Sequence, residues 1–142
     1  MIKLLIDQYV EFNHFGQTIG MDFTIIKPGQ VVYKLKITDK HLATPTTAHG
    51  GAISALVDAT MGVAALSVVE KDFSVVSTLE LKVSFLEAIL NADELTATSY
   101  ILRKGRKIIF AEAEIQNQHN KTVAKGSGTF LIVDGLKAGY KK

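Results

Sequence analysis

The chain contains no cysteine, which excludes disulfides, a thiolate nucleophile and cysteine-bound metal together. Its four histidines, at 14, 41, 49 and 119, fall at no ligand spacing such as H-x-x-x-H, so no metal site is expected. Only two prolines stand in 142 residues and no low-complexity tract is present, so nothing marks a linker and residues 1–142 read as one domain. A domain of that length buries roughly 70% of the surface its unfolded chain exposes. Excess charge is missing too: the net value of +2 argues against nucleic acid or a membrane surface as partner. The opening MIKLLIDQYVEF has a short apolar run broken by Asp7 and Glu11, with no small-residue cleavage site after it, which points to a cytoplasmic protein. One run, Ala52 to Val69, is long enough to raise a membrane span. Asp58 sits near its centre, where a carboxylate costs about 2.5–3.5 kcal/mol on insertion scales. The run is better read as the central helix of a folded domain.

Around that run the pattern is mostly strand. IKLLIDQYVEFNHFGQ has apolar residues near helical spacing and predicts a short helix ending at Gly16. TIGMDFTIIKPGQVVYKLKIT reads as two strands joined at Lys27-Pro28-Gly29-Gln30, with Val31, Tyr33, Leu35 and Ile37 on one face. After the loop DKHLATPTTAHGG comes the long helix, in which Gly62 is tolerated at about 1 kcal/mol relative to alanine. Four strands follow: VVSTLELKVSFL, alternating through Leu79, Leu81, Val83 and Phe85, then DELTATSYILRK, RKIIFAEAEIQN and KTVAKGSGTFLIV. Short turns between consecutive strands mean a largely antiparallel sheet, and the one apolar helix fills its concave face. The fold class is α+β.

Two features of the helix bear on function. A helix start presents unpaired N–H groups and the positive end of the macrodipole, and glycines there let a ligand reach the backbone. Gly50 and Gly51 therefore suit either an anion or developing oxyanion, or close packing of the helix start on a strand. Asp58 has no basic residue at i±3 or i±4. Burial would push such a carboxyl's pKa upward, as a general base requires; the alternative is an exposed helix edge or a backbone N–H elsewhere that satisfies it. Gly50 and Asp58 stand eight positions apart, which is about 12 Å along a helix and beyond an aspartate's reach. They can share a reacting atom only if two copies of the helix lie antiparallel, as a two-fold dimer allows.

The segment HLATPTTAHGGAISALVDATMGVAA, with STLELKVSFLEA after it and KGSGTFLIV near the end, resembles the hotdog-fold acyl-CoA thioesterases of the phenylacetate-degradation (PaaI) type, over roughly residues 13 to 133. The resemblance implies a hotdog homodimer with a continuous sheet and two antiparallel central helices, often doubled into a homotetramer, with acyl-CoA as substrate in a groove at the dimer interface and no cofactor. By the same resemblance Gly50 is the glycine whose N–H polarises the thioester carbonyl, and His49 is a supporting group. Asp58 activates water, or attacks directly, across the interface. Thr78 falls where Ser or Thr helps hold the water, with Ser77 as the alternative register. One departure stands out: the family's HLN is HLA here, so Ala43 replaces an amide that helps position water, and Thr44, Thr46 or Thr47 is left to compensate.

At the CoA end, LRKGRK gathers Arg103, Lys104, Arg106 and Lys107 round one turn, either to attract phosphates or simply as a solvated hairpin. Gly51, Gly126 and Ser127 are further candidate CoA contacts. The small residues of AKGSGTF clear room for pantetheine or for the helix. Met61, Leu66 and Phe85 are candidates for the acyl pocket. The rival to a hydrolase is a non-catalytic acyl-CoA-binding or sensing module, favoured by Ala43. A hotdog hydratase is disfavoured because HLATPTTAHGG lacks the Asp-x-Asn-Pro-x-x-His type of segment.

Overall fold

The computed structural model describes residues 4–142. Three helices, α1 (Leu5–Phe12), α2 (His14–Ile19) and α3 (Gly50–Val69), accompany six strands: β1 (Asp22–Lys27), β2 (Gln30–Lys36), β3 (Ser74–Phe85), β4 (Glu94–Lys104), β5 (Ile108–Gln116) and β6 (Thr122–Asp134). The strands form one sheet in the order β1-β2-β4-β5-β6-β3, every neighbouring pair antiparallel. α3 packs against all six strands. The sheet wrapped round one central helix is therefore present.

α3 is apolar on nearly every side, as a helix must be when a curved sheet surrounds it. Ile53, Leu56, Val57, Met61, Val63 and Ala64 are buried with the inward face of the sheet, among them Tyr33, Leu95, Ile109, Ile115 and Phe130. Each of the larger aliphatic side chains and the Phe among them contributes about 1.5–3 kcal/mol on leaving water. The stretch Gly50–Asp72 is long and apolar enough to cross a membrane, yet most of its apolar window is buried inside this fold. Close approach of helix and sheet requires the two glycines of β6. A Cβ on Gly126 would lie 2.4 Å from Val57 Cγ1, and one on Gly128 2.8 Å from Met61 Cε.

The N-terminal helix departs from expectation. It is two helices, because the Asn13 side chain accepts the Gly16 N–H and caps a new start, and the second ends at Gly20, whose φ of +87° suits glycine. Gly16 is thus inside α2 and not a stop; Ile2 and Lys3 lie outside the described residues.

β3 also departs from simple alternation. Its register against β6 slips between Thr78 and Glu80, leaving Leu79 as a bulged residue. A one-residue slip exchanges the faces of a strand. Leu81 opposes Gly128 on the helix side, and beyond the bulge it is Thr78, opposing Phe130, that takes that side. Among the described residues the outer edge of β3 has no strand neighbour, and Leu79 and Phe85 along it and Leu86 just after it are 55%, 54% and 53% exposed.

Candidate active site

The mouth of α3 is built by its cap. His49 precedes the helix in an extended conformation (φ −68°, ψ 133°), and its Nδ1 accepts the Gly51 N–H at 2.7 Å. An accepting Nδ1 leaves the neutral ring's proton on Nε2. The Ala52 N–H turns back to the His49 carbonyl. Of the first helical N–H groups, that of Gly50 meets no acceptor among the described residues. Gly50 is exposed, and the Phe85 ring lies over it, with Cζ 3.3 Å from where a Cβ would stand. The loop leading here is pinned by His41, which is buried. Its Nδ1 accepts from the Thr38 N–H, its Nε2 lies 2.6 Å from the Ile19 carbonyl, and its own carbonyl accepts the His49 N–H.

Two turns further on, Asp58 is half-buried and not alone. The Thr78 hydroxyl donates to Asp58 Oδ1 at 2.7 Å. This corrects the expectation of a buried, unpartnered carboxylate: the donor comes from β3, twenty residues away. The Leu79 bulge is the reason that Thr78 and not Ser77 reaches it. Asp58 stands at the edge of a cavity of about 510 Å³, whose walls include Ala59, Gly62 and Leu66 of α3, Val76 of β3 and Phe130 of β6. Tyr9 and Tyr140 close other sides, and sequence reasoning missed both. Burial pushes the phenol pKa of each above its ordinary value. Of the three candidates for an acyl pocket, Leu66 lines this cavity, Met61 packs under Gly128 in the core, and Phe85 covers Gly50.

The remaining candidates are not gathered here. A side chain on Gly126 would run into the helix, which accounts for its absence, and Gly126 and Ser127 both border a shallow outer depression with Lys82, Tyr100 and Glu112. Arg103, Lys104, Arg106 and Lys107 are exposed at the β4–β5 hairpin. That end of the sheet borders the C-terminus of α3, for the Gly29 N–H donates to Ser67 Oγ, and a Cβ on Gly29 would touch both Ile101 and Val68. Val68 is eighteen residues from Gly50, about 27 Å along the helix. A protomer's own basic turn is therefore far from its own helix mouth. Ala43 is exposed, and the hydroxyls of Thr44 and Thr47 hydrogen-bond each other within their own turn. No group of three or more potential metal ligands occurs among the described residues.

A long core helix in the grip of a six-stranded antiparallel sheet, with a glycine mouth and a central carboxylate, defines the hotdog class. The profile of the thioesterase superfamily matches residues 46–124. A candidate esterase of Saccharolobus solfataricus is 32% identical over 93% of this chain and 92% of its own length. Human acyl-coenzyme A thioesterase 13 is 25% identical over 90% of this chain and 91% of its own. The Escherichia coli PaaI protein of the phenylacetic acid degradation operon superposes with a TM-score of 0.84 at 25% identity, covering 92% and 91% of the two chains. The chain belongs to the thioesterase superfamily, whose enzymes hydrolyse thioesters.

Proposed function

We propose that the chain is an acyl-CoA thioesterase, releasing a free acid and CoA from an aryl or a short- to medium-chain acyl-CoA at a site shared by two protomers. The observation that carries this reading is Asp58, a carboxylate set in a core helix, oriented by a hydroxyl and opening on an apolar cavity. The acyl carbonyl oxygen accepts the Gly50 N–H of one protomer. A water oxygen bonds to the acyl carbon as Asp58 of the other takes its proton. The C–S bond then breaks, and the proton leaves with the CoA thiolate. His49, by capping Gly51, holds the mouth with its remaining N–H outward. An opposed pair of protomers also turns each basic hairpin toward the end at which the other's helix opens, so that a CoA arm leading away from the mouth could bring its phosphates to it.

The bare edge of β3 supports such a pairing and suggests its register. If β3 pairs antiparallel with its own copy about Lys82, Val83 faces Leu81 and Ser84 faces Glu80, each pair on a common side of the sheet. Phe85 would fall opposite the partner's bulged Leu79, beside Thr78. Phe85 lies over Gly50 and Thr78 holds Asp58, so this one register brings each helix mouth to the other protomer's carboxylate. It also covers exposed apolar surface on an edge that would otherwise recruit any strand.

Hydrolysis of benzoyl-, butanoyl- and octanoyl-CoA by the unaltered chain and by Asp58→Asn tests the reading. The variant is expected to stay folded and to lose about 10²–10⁴ in rate. Mixed dimers of Asp58→Asn with a Gly50 variant should regain activity, since one of the two sites is then intact. Full turnover by a folded Asp58→Asn dimer would refute the mechanism. Binding without turnover in the unaltered chain would favour a sensing module, the alternative that Ala43 raises.

A further inference from the structure

We infer that the C-terminal strap, residues 135–142, sets the length of acyl group the site accepts, with Tyr140 as the stop. The inference rests on the acyl-CoA reading above and extends it to a segment outside the residues matched by the family profile.

Residues 135–142 are held at both ends of a turn. The Gly135 N–H donates to the Phe73 carbonyl at 2.9 Å, and the Tyr140 N–H folds back to the Gly135 carbonyl at 2.9 Å. Gly139, at φ +92°, makes the reversal. Beyond it, the Gln8 amide grips the Lys141 backbone twice, donating to its carbonyl at 2.7 Å and accepting its N–H at 3.0 Å. Gln8 is one of few buried polar side chains, only 7% exposed. A buried amide is costly unless satisfied, and the strap satisfies it. Lys142 completes the anchorage, its Nζ 5.4 Å from the centroid of the Phe73 ring.

What this clamp achieves is the placing of Tyr140. The ring packs with Leu5, Leu66 and Val75, and Ala138 and Tyr140 line the same cavity as Asp58. Leu66 lies eight residues beyond Asp58, about 12 Å further along α3. An acyl chain whose carbonyl is at the reaction centre and whose tail follows the helix therefore meets the Tyr140 ring at the level of Leu66. The strap is the end wall, and Gln8 is the latch that keeps it there.

Ratios of kcat/KM for dodecanoyl-CoA over butanoyl-CoA test this. Tyr140→Ala and Gln8→Ala should raise the ratio about tenfold or more, and Tyr140→Trp should lower it, since a mismatched methylene in an apolar pocket is worth roughly 10- to 200-fold. A merely structural strap would instead depress both substrates together. Should Tyr140→Ala fail to fold, the Trp and Gln8 variants still decide, because they move the ratio in opposite directions. Unmoved ratios in folded variants overturn the inference while Asp58-dependent hydrolysis stands. An unaltered chain that hydrolyses neither substrate removes the thioesterase reading, and the inference with it.

Discussion

Replacing Gly50 with proline isolates the role of a single N–H. Gly50 is the first residue of α3, where proline forfeits no intrahelical hydrogen bond and its fixed φ suits the helix. His49 already holds φ −68° and ψ 133°, within the extended region that proline imposes on the residue before it. The added Cβ would stand 3.3 Å from Phe85 Cζ, the tip of a ring more than half exposed and able to shift. Folding should therefore not suffer, and a stiffer unfolded chain adds roughly 0.4–1 kcal/mol of stability. Catalysis should suffer heavily, since deleting one oxyanion donor costs about 10²–10³ in kcat, or about 2.7–4 kcal/mol. Gly50→Ala adds the same Cβ and keeps the N–H, which makes it the control. The assay is release of the CoA thiol from octanoyl-CoA, alongside thermal melting and gel filtration. Gly50→Pro is expected to melt at or above the parent temperature, to keep its oligomeric state and to lose at least about a hundredfold in kcat, with Gly50→Ala within about tenfold of the parent. A Gly50→Pro chain that turned over as fast as Gly50→Ala would refute the oxyanion assignment.

Three further outcomes follow from the same geometry. Thr78→Val removes the donor to Asp58 and should lower kcat by roughly ten- to a hundredfold, the worth of one hydrogen bond to a charged group, while Thr78→Ser retains most activity; equal rates for the two would dismiss the contact. Gly126→Ala drives a methyl against Val57 and should cost about 1–3 kcal/mol of stability, read as a lower melting temperature, with CoA affinity unchanged; weaker CoA binding at unchanged stability would restore Gly126 as a ligand contact. Lys82→Cys introduces the chain's only cysteine, and on mild oxidation it should give a crosslinked dimer on a non-reducing gel, because residues facing each other across a strand pair lie within disulfide range; a chain that stays uncrosslinked would rule out pairing about Lys82.

The sheet was legible because alternation is a local signal. Val31, Tyr33 and Leu35 in β2 are buried and inward, as their spacing predicts. The long helix was legible for a related reason, an uncharged run broken by one acid. Where local pattern stops being informative, reading fails. Leu79 continues the apolar alternation of β3 without a break, so nothing local announces the bulge there, and the choice between Ser77 and Thr78 stayed open. Gly16 resembles a helix stop, but three residues earlier Asn13 supplies the cap that turns it into a helix interior. The partner of Asp58 comes from another element, and so does the Gln8–Lys141 clamp, which spans 133 residues. Contacts of that kind arise only when the sheet closes round the helix. Tyr9 and Tyr140 were invisible for the same reason, since neither sits in a motif and each acquires a role only by lining a cavity.

Why a carboxylate belongs in such a helix can now be argued from the two faces it separates. Toward the core, Val57 and Met61 are pressed onto Gly126 and Gly128, and no charge could be tolerated there. Asp58 lies on the side turned to β3, where the bulge presents a hydroxyl and the cavity opens. A carboxylate at that position retains one strong donor and access to water, which keeps its cost low while leaving its second oxygen for chemistry. The helix mouth, about 12 Å away, is dressed differently: the Gly51 N–H is capped by His49 and the Gly50 N–H before it is left bare. Under the proposed mechanism neither half does much alone, because an oxyanion donor without a base and a base without an oxyanion donor each supply only part of the rate. β3 ties the halves together, since it carries both the ring over the mouth and the hydroxyl on the base, at positions that a two-fold axis through Lys82 would bring side by side. Under the proposed mechanism the bulge at Leu79 belongs to the site, because removing it would turn Thr78 away from Asp58.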